Sequence, residues 1–289
     1  MRTIVLSDHA ADQLRHREAE RERQYTLALK AYTERLEARQ ARIDTLSLER
    51  TQAWKERGYL RALWHTLAMV WARHCKRRDE KRRPLMASPG TEDLIWEHGR
   101  AGEQRVEDYL AGRLNDEWIC VSGYRNRKGE IDKILAGPLG IYAIEIKNHN
   151  GIISCHGDTW TRDKYDQWGN LVRADEIIAD RGGRSPSKQV NEPADLLEAF
   201  LARTLPGCRI RRCVAFANDD VSFGEMRGLS VDSVLLRQGW DLGEMVEERM
   251  LSPKDVDRTV ELIVRDHMHY QTRRALRRAP AAPELLPET

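Results

Sequence analysis

The chain has 289 residues, which is enough for one or two domains with sizeable cores. Its 48 Lys and Arg residues nearly balance its 46 Asp and Glu residues, so the overall charge does not by itself indicate a polyanionic partner. The five cysteines are widely spaced without a C-x-x-C pair, which argues against a zinc site and is typical of a reduced, cytoplasmic protein.

The N-terminal third is predicted to be helical. Residues 8–57 contain no Pro or Gly and carry a thin apolar seam among charged residues, which predicts one long helix. The seam favours a coiled coil or a helical hairpin but does not follow a strict heptad. Its role is open between a solvent-exposed extension and a surface for dimerisation or docking. No apolar signal-peptide core is present in the first residues, which also favours the cytoplasm.

Residues 59–72, YLRALWHTLAMVWA, are the most apolar segment of the chain. The segment is too short to span a bilayer, and the basic run at 76–83 follows it as a predicted linker. This combination fits an interfacial helix on anionic lipid, or a helix packed on protein. Because packing is the commoner use of an apolar stripe, we expect a homodimer held by residues 1–83 and rank a membrane surface second.

A Pro- and Gly-containing linker at 84–90 is predicted to separate this helical extension from a second domain at 91–278. Helical patterns occur at 91–114, 187–203 and 253–278. Runs rich in β-branched residues predict core strands at 118–122, 131–135, 141–147, 209–217 and 231–235, with hairpins between 152 and 172. The alternation predicts an α/β fold, a mixed sheet flanked by helices. A polar loop is expected at 174–187, in which Arg181 and Arg184 are candidate phosphate contacts, and the Pro-rich residues 279–289 predict a disordered tail.

The functional centre is predicted within GEIDKILAGPLGIYAIEIK, residues 129–147. Two β-rich runs flank the turn signal Gly137-Pro138, so Asp132 and Glu145 belong to adjacent strands. Alternation along the second strand places Glu145 and Lys147 on one face. Charges at the end of a buried strand are costly unless they are paired or bind a metal. An ion pair explains Glu145 and Lys147 alone, whereas Asp132 on the neighbouring strand favours a metal site.

These residue types suit hydrolysis of a phosphodiester. Asp132 and Glu145 supply two hard oxygen ligands for Mg²⁺, with Mn²⁺ as an alternative, and the backbone carbonyl of Ile146 would add a third. Lys147 would position or activate the attacking water, or stabilise the charge that develops on the phosphoryl group.

An ordered set of motifs supports this interpretation: Gly102-Glu103, Gly129 to Asp132, Ile144 to Asn148, Gly151, Trp160 and Gln189. Together they resemble the nuclease-related domain (NERD), a branch of the PD-(D/E)xK nucleases with a restriction-endonuclease-like fold. The resemblance implies that Glu103 assists through a water or a second metal. It also implies that Gln189 hydrogen-bonds the attacking water or the substrate backbone. Without the resemblance, Glu103 is an ordinary exposed glutamate and Gln189 a capping or surface residue.

We therefore expect a Mg²⁺-dependent endonuclease that acts on nucleic acid, with DNA favoured. Two alternatives are a non-catalytic nucleic-acid-binding module with the same fold, and a membrane- or partner-docking protein that acts through residues 1–83. The presence of Asp132, Glu145 and Lys147 together favours the enzyme over the binding module.

Overall fold

The structure is a computed structural model that describes residues 1–166, 168–239 and 250–278, without the side chains of 9, 10 and 274–278. The chain divides into two compact units. The helical unit spans Asp12–Leu94, and the sheet unit combines Met1–Ala11 with Ile95–Thr289. Within the described residues, no helix is both long enough and apolar enough to cross a membrane.

The helical unit is built on a hairpin of two helices, α1 (His9–Lys55) and α2 (Tyr59–Glu80). The turn between them closes through a hydrogen bond of 2.9 Å from the Gly58 N–H to the Ala53 carbonyl. A small buried cluster joins the two helices, formed by Ile43, Leu46, Met69 and Ala72. Of the two arrangements that the apolar seam favours, the structure shows the helical hairpin.

The predicted basic linker after residue 72 is wrong in its first half. Helix α2 continues to Glu80, so Lys76, Arg77 and Arg78 are helical. The helix continues because no Gly or Pro interrupts the chain until Pro84. In addition, the buried Asp79 pairs with Arg39 of α1 at 3.2 Å, which fixes the last turn.

The sheet unit contains ten strands and three further helices. The strands are β1 (Arg2–Val5), β2 (Ile119–Arg125), β3 (Glu130–Gly137), β4 (Gly140–Lys147), β5 (Gly151–His156), β6 (Thr159–Tyr165), β7 (Leu171–Ile177), β8 (Ile210–Phe216), β9 (Val221–Arg227) and β10 (Asp232–Leu235). The helices are α3 (Thr91–Ala111), α4 (Pro186–Leu201) and α5 (Pro253–Arg278). The first turn of α3 belongs to the helical unit.

Two mixed sheets result. The larger has the order β1-β2-β3-β4-β8-β10, in which β2, β3 and β4 are antiparallel and the remaining neighbours are parallel. The smaller has the order β7-β6-β5-β9. The predicted α/β class, with a mixed sheet, flanking helices and a long N-terminal helix, is confirmed.

Alternation along β4 divides the core into two clusters. Ile141 and Ala143 belong to the cluster that includes residues of α4 and α5. Tyr142, Ile144 and Ile146 belong to the cluster on the other face, which includes Val106 and Leu110 of α3. The β4 strand is therefore buried on both sides, as its nearly continuous apolar sequence predicts.

Three features of the sheet unit differ from the prediction. Residues 1–11, which the sequence placed in the helical extension, contribute β1 to the larger sheet. Strand β9 was not predicted, because Gly224 interrupts the run VSFGEMR. In the structure the strand is only partly buried. The loop predicted at 174–187 is shorter, because β7 continues to Ile177. The tail predicted at 279–289 lies outside the described residues.

Candidate active site

Asp132 and Glu145 face each other across two antiparallel strands. The β3–β4 ladder pairs Lys133 with Ile144, so the next residues along, Asp132 and Glu145, lie opposite one another. Residues opposite one another in an antiparallel pair point to the same face. The register thus brings together two carboxylates that are 13 positions apart in sequence.

The last pair of the β3–β4 ladder is Lys133 with Ile144, and the Asp132 side chain beyond it supplies the next hydrogen-bond acceptor. The Ile146 N–H donates to Asp132 Oδ2 at 2.7 Å. In a β-strand the N–H and C=O of one residue point to the same side, so the Ile146 carbonyl also faces Asp132. We therefore expect the Ile146 carbonyl oxygen to lie on the side of the two carboxylates, where it remains the predicted third ligand.

Lys147 and Gln189 complete the same cluster. The Lys147 ammonium donates to Glu145 Oε1 at 2.6 Å and to Gln189 Oε1 at 2.9 Å. Gln189 lies in the first turn of α4, where its amide donates to the Arg184 carbonyl at 2.8 Å. The amide orientation of Gln189 is thus fixed at both ends, and the residue is buried rather than exposed.

Glu103 approaches the cluster from helix α3, which a close contact holds against the end of β4. A Cβ added to Gly102 would lie 2.7 Å from the Asn148 Cβ, so only glycine permits this approach. Asn148 Nδ2 donates to the His98 carbonyl and the Asn148 carbonyl contacts His98 Nε2, both at 2.6 Å. The reciprocal pair ties α3 to the residue that follows Lys147. Glu103 is half-buried and lines the same cleft as Asp132 and Glu145.

The cluster carries more negative charge than its single ammonium offsets. Burial, followed by the charges of Glu145 and Glu103, raises the pKa of Asp132 well above its usual range. Burial also raises the pKa of Glu103 to about 7, against a partial lowering by Lys133. Burial lowers the pKa of Lys147, but the Glu145 and Asp132 carboxylates outweigh it and the net pKa is raised. Lys147 is therefore a fixed cation in this arrangement.

Glu103, Asp132, Glu145 and Gln189 line a cleft of about 1070 Å³, and we call its carboxylates the acidic floor. Basic side chains line it from the β2–β3 turn, the loop before α4 and the end of α5, namely Arg125, Arg127, Lys128, Arg181, Arg184 and Arg273. Arg125 pairs with Glu130, and Arg184 pairs with Asp180. Arg127, Lys128 and Arg273 are exposed and form no ion pair within the described part of the chain. The cleft thus combines an acidic floor with a basic rim.

The donor set fits a hard divalent cation. Two neighbouring carboxylates and a backbone carbonyl are the kind of oxygen ligands that Mg²⁺ or Mn²⁺ prefers. Among the described residues, no three His, Cys, Asp or Glu side chains are grouped closely enough to hold a metal. Mg²⁺ does not need such a group, because it usually binds one or two carboxylates and retains several waters.

Sequence reasoning missed several residues around the cluster. Glu107, one turn after Glu103 on α3, accepts from the buried Lys133 ammonium at 2.6 Å. Lys133 also donates to Ser122 Oγ at 2.8 Å, so β2, β3 and α3 are linked beneath the site. A lysine inside the apolar run of β3 was the available signal, because a buried lysine needs a carboxylate partner. Arg127 and Lys128 gave no signal, because exposed basic residues are common.

Residues 98–217 match the family model for the nuclease-related domain, NERD. No curated protein and no solved structure matches the chain. The five predicted site side chains, Glu103, Asp132, Glu145, Lys147 and Gln189, all fall within the matched stretch. The match confirms the resemblance drawn from the ordered motifs and points to a nuclease-related function. Residues 98–217 of this chain are therefore similar to the nuclease-related domain.

Proposed function

We propose that the protein is a metal-dependent nuclease that hydrolyses phosphodiester bonds, with DNA as the favoured substrate. The observation that carries the proposal is the convergence of Asp132, Glu145 and Lys147 at one strand end, with Lys147 bonded to Gln189. A purely structural ion pair between Glu145 and Lys147 would not require a second carboxylate opposite Glu145, since an extra buried charge is destabilising.

Asp132 and Glu145 would hold Mg²⁺ or Mn²⁺, together with the Ile146 carbonyl. A divalent ion bound there supplies positive charge to the phosphoryl oxygens and acidifies water. The two carboxylates are already held in place, Asp132 by the Ile146 N–H and Glu145 by Lys147. Little rearrangement of the protein is needed before the metal binds, which is the preorganisation that catalysis by charge requires.

Lys147 and Glu103 take different parts in this proposal. Lys147, charged and anchored by Gln189, stabilises the negative charge that develops on the phosphoryl oxygens. Glu103, with a pKa raised to about 7, accepts the proton that the attacking water releases. The water oxygen forms a bond to phosphorus as the bond to the leaving oxygen breaks, so no covalent enzyme intermediate is involved.

The basic rim supports nucleic acid as the substrate. Arg127 and Lys128 of the β2–β3 turn and Arg273 of α5 line the same cleft as the carboxylates, where they would bind phosphates on either side of the reacting one. The preference for DNA over RNA rests on the family resemblance alone.

The test is incubation of the full-length protein with supercoiled plasmid, linear duplex, single-stranded DNA and RNA. Each substrate is incubated with Mg²⁺, with Mn²⁺, with Ca²⁺ and with a chelator. We expect cleavage of DNA in Mg²⁺ or Mn²⁺, nicking of the closed circle, and little turnover in Ca²⁺, whose looser coordination aligns water poorly. Cleavage in the chelator would contradict the metal requirement. Binding of DNA without cleavage in any metal would assign the protein to the binding-module alternative.

A further inference from the structure

Helix α2 presents a continuous apolar face to solvent. Six large side chains on this face are between 57% and 86% exposed: Leu60, Leu63, Trp64, Leu67, Val70 and Trp71. Their spacing of three and four residues aligns them on one side of the helix. We call this set the apolar face of α2. Scattered exposed leucines need no explanation, but a contiguous face with two tryptophans does.

The opposite side of α2 is already occupied. Ala62, Met69, Ala72 and Cys75 are buried, and Met69 and Ala72 belong to the cluster shared with α1. The hairpin thus leaves one side of α2 available to a partner. A partner whose groove surrounds a whole helix could bind α2 only if α2 separated from α1. A partner with a flat surface could bind the exposed side without this separation.

A basic cluster begins in the last turn of α2 and continues into the residues just after the helix. Five exposed cations lie between residues 77 and 83, namely Arg77, Arg78, Lys81, Arg82 and Arg83. None forms an ion pair with another residue that the structure describes. Arg78 lies seven residues after Trp71, which is two helical turns, so Arg78 continues the line of the apolar face. Lys81, Arg82 and Arg83 follow directly after the end of the helix.

The two features together restrict the partner. The phosphates of a nucleic acid would neutralise the basic cluster but leave the tryptophans and leucines in water. A second copy of the chain would cover the apolar face but would bring a second basic cluster of the same sign. An anionic lipid surface satisfies both, because indole and leucine side chains enter the headgroup boundary while Lys and Arg contact the headgroups.

We propose that α2 docks the helical unit on an anionic lipid surface, with the apolar face at shallow depth and the basic cluster against the headgroups. The attachment is peripheral, and it combines two weak signals, apolar insertion and charge, of which neither is sufficient alone. The proposal is independent of the nuclease activity proposed above.

The test is cosedimentation of the full-length protein with phosphatidylcholine vesicles that contain or lack phosphatidylserine, at low and high salt. One variant, Trp64→Gln with Trp71→Gln, removes apolar insertion, and a second, Arg78→Gln with Arg82→Gln, removes charge. Trp168→Gln and Arg23→Gln are the matched controls, because both residues are exposed and belong to neither the apolar face nor the basic cluster. Circular dichroism verifies that each variant retains its helices.

We expect the wild type to bind vesicles that contain phosphatidylserine, and this binding should weaken at high salt. It should not bind vesicles of pure phosphatidylcholine. Each double variant should bind about tenfold or more weakly, and the controls should bind as the wild type does. Absence of binding to phosphatidylserine vesicles, or equal binding by the Trp variant, would overturn the proposal. If light scattering then shows a dimer that Trp64→Gln with Trp71→Gln dissociates, the apolar face belongs to a second copy of the chain.

Discussion

Lys147 is the residue whose surroundings most limit its chemistry. It donates to Glu145 and Gln189 and lies near the Asp132 carboxylate, which together keep its pKa raised in spite of burial. A cation held in this way cannot accept a proton from water. Of the two roles that the sequence left open, the geometry favours charge stabilisation over activation of the water.

Replacing Lys147 by Met should separate catalysis from metal binding. Lys147→Met keeps most of the side-chain volume and removes the charge, so we expect the cleavage rate to fall by about 10²–10³-fold. An ammonium is not a metal ligand, so the affinity for Ca²⁺ should be retained. Single-turnover cleavage and isothermal titration calorimetry measure the two quantities. A loss of Ca²⁺ affinity as large as that of Asp132→Asn would show that the roles are not separate.

Glu103 carries a cost in stability that depends on pH. Its carboxyl has a pKa of about 7 in the folded protein, compared with its ordinary value of 4.5. Below pH 4.5 both the folded and the unfolded states are protonated, and the difference is absent. Between pH 4.5 and 7 the unfolded state loses its proton first, so the free energy of unfolding falls as pH rises and stays lowered above pH 7.

Glu103→Gln should therefore stabilise the metal-free protein at pH 8 by about 1–3 kcal/mol and have no effect near pH 4. Urea unfolding in a chelator at both pH values measures the difference. Glu97→Gln is the control, because Glu97 is an exposed glutamate on the same helix. Equal stability of Glu103→Gln and wild type at pH 8 would refute the burial of a charged Glu103.

At the scale of elements, the contact of α3 with Asn148 positions Glu103. Gly102→Ala places a Cβ 2.7 Å from the Asn148 Cβ, so overpacking of about 1–3 kcal/mol opposes the helix-propensity gain of about 1 kcal/mol. We expect a net loss of stability and a lower cleavage rate. Gly99→Ala on the same helix meets no atom within 4 Å and should stabilise. If both variants are stabilised equally on urea unfolding, the close approach of α3 to Asn148 is wrong.

The elements show how far the sequence could predict this site. The β3–β4 pair was predictable because apolar runs, a turn signal and alternation determine which side chains face each other, and Asp132 and Glu145 follow from that register. The hydrogen bond from Lys147 to Gln189 was not, because it depends on how α4 packs on the sheet. Strand β1 was missed because four residues, RTIV, show too little alternation to indicate a partner more than 100 positions away.

At the scale of the whole molecule, the sheet unit is discontinuous in sequence. Strand β1 pairs with β2, the Leu6 N–H donates to the Ser122 carbonyl at 2.9 Å, and Ser7 Oγ donates to the Gly123 carbonyl at 2.6 Å. Gly123 has a φ of +70°, and a Cβ there would lie 1.9 Å from the Ser7 carbonyl oxygen. The segment at 1–11 therefore belongs to the fold that carries the site.

A chain that begins at residue 84 should lose stability for this reason. Removal of β1 exposes the edge of β2, and unpaired edge strands promote aggregation. We expect a lower melting temperature for the sheet unit and more light scattering on heating. A peptide of residues 1–8 added in trans should restore part of the loss. If the truncated chain has the same melting temperature as the full-length protein, β1 is dispensable for stability.

We propose above all that Asp132 and Glu145 hold the metal that supports phosphodiester hydrolysis. The most direct measurement is the single-turnover rate of DNA cleavage as a function of Mg²⁺ concentration, for the wild type, Asp132→Asn and the control Asp158→Asn, which is outside the cluster. We predict a saturable Mg²⁺ dependence for the wild type and the control. We predict no measurable cleavage for Asp132→Asn. The Asn side-chain oxygen can still accept the hydrogen bond from the Ile146 N–H, so the local structure should be retained. If Asp132→Asn cleaves DNA as fast as the wild type at any Mg²⁺ concentration, Asp132 is not a required metal ligand.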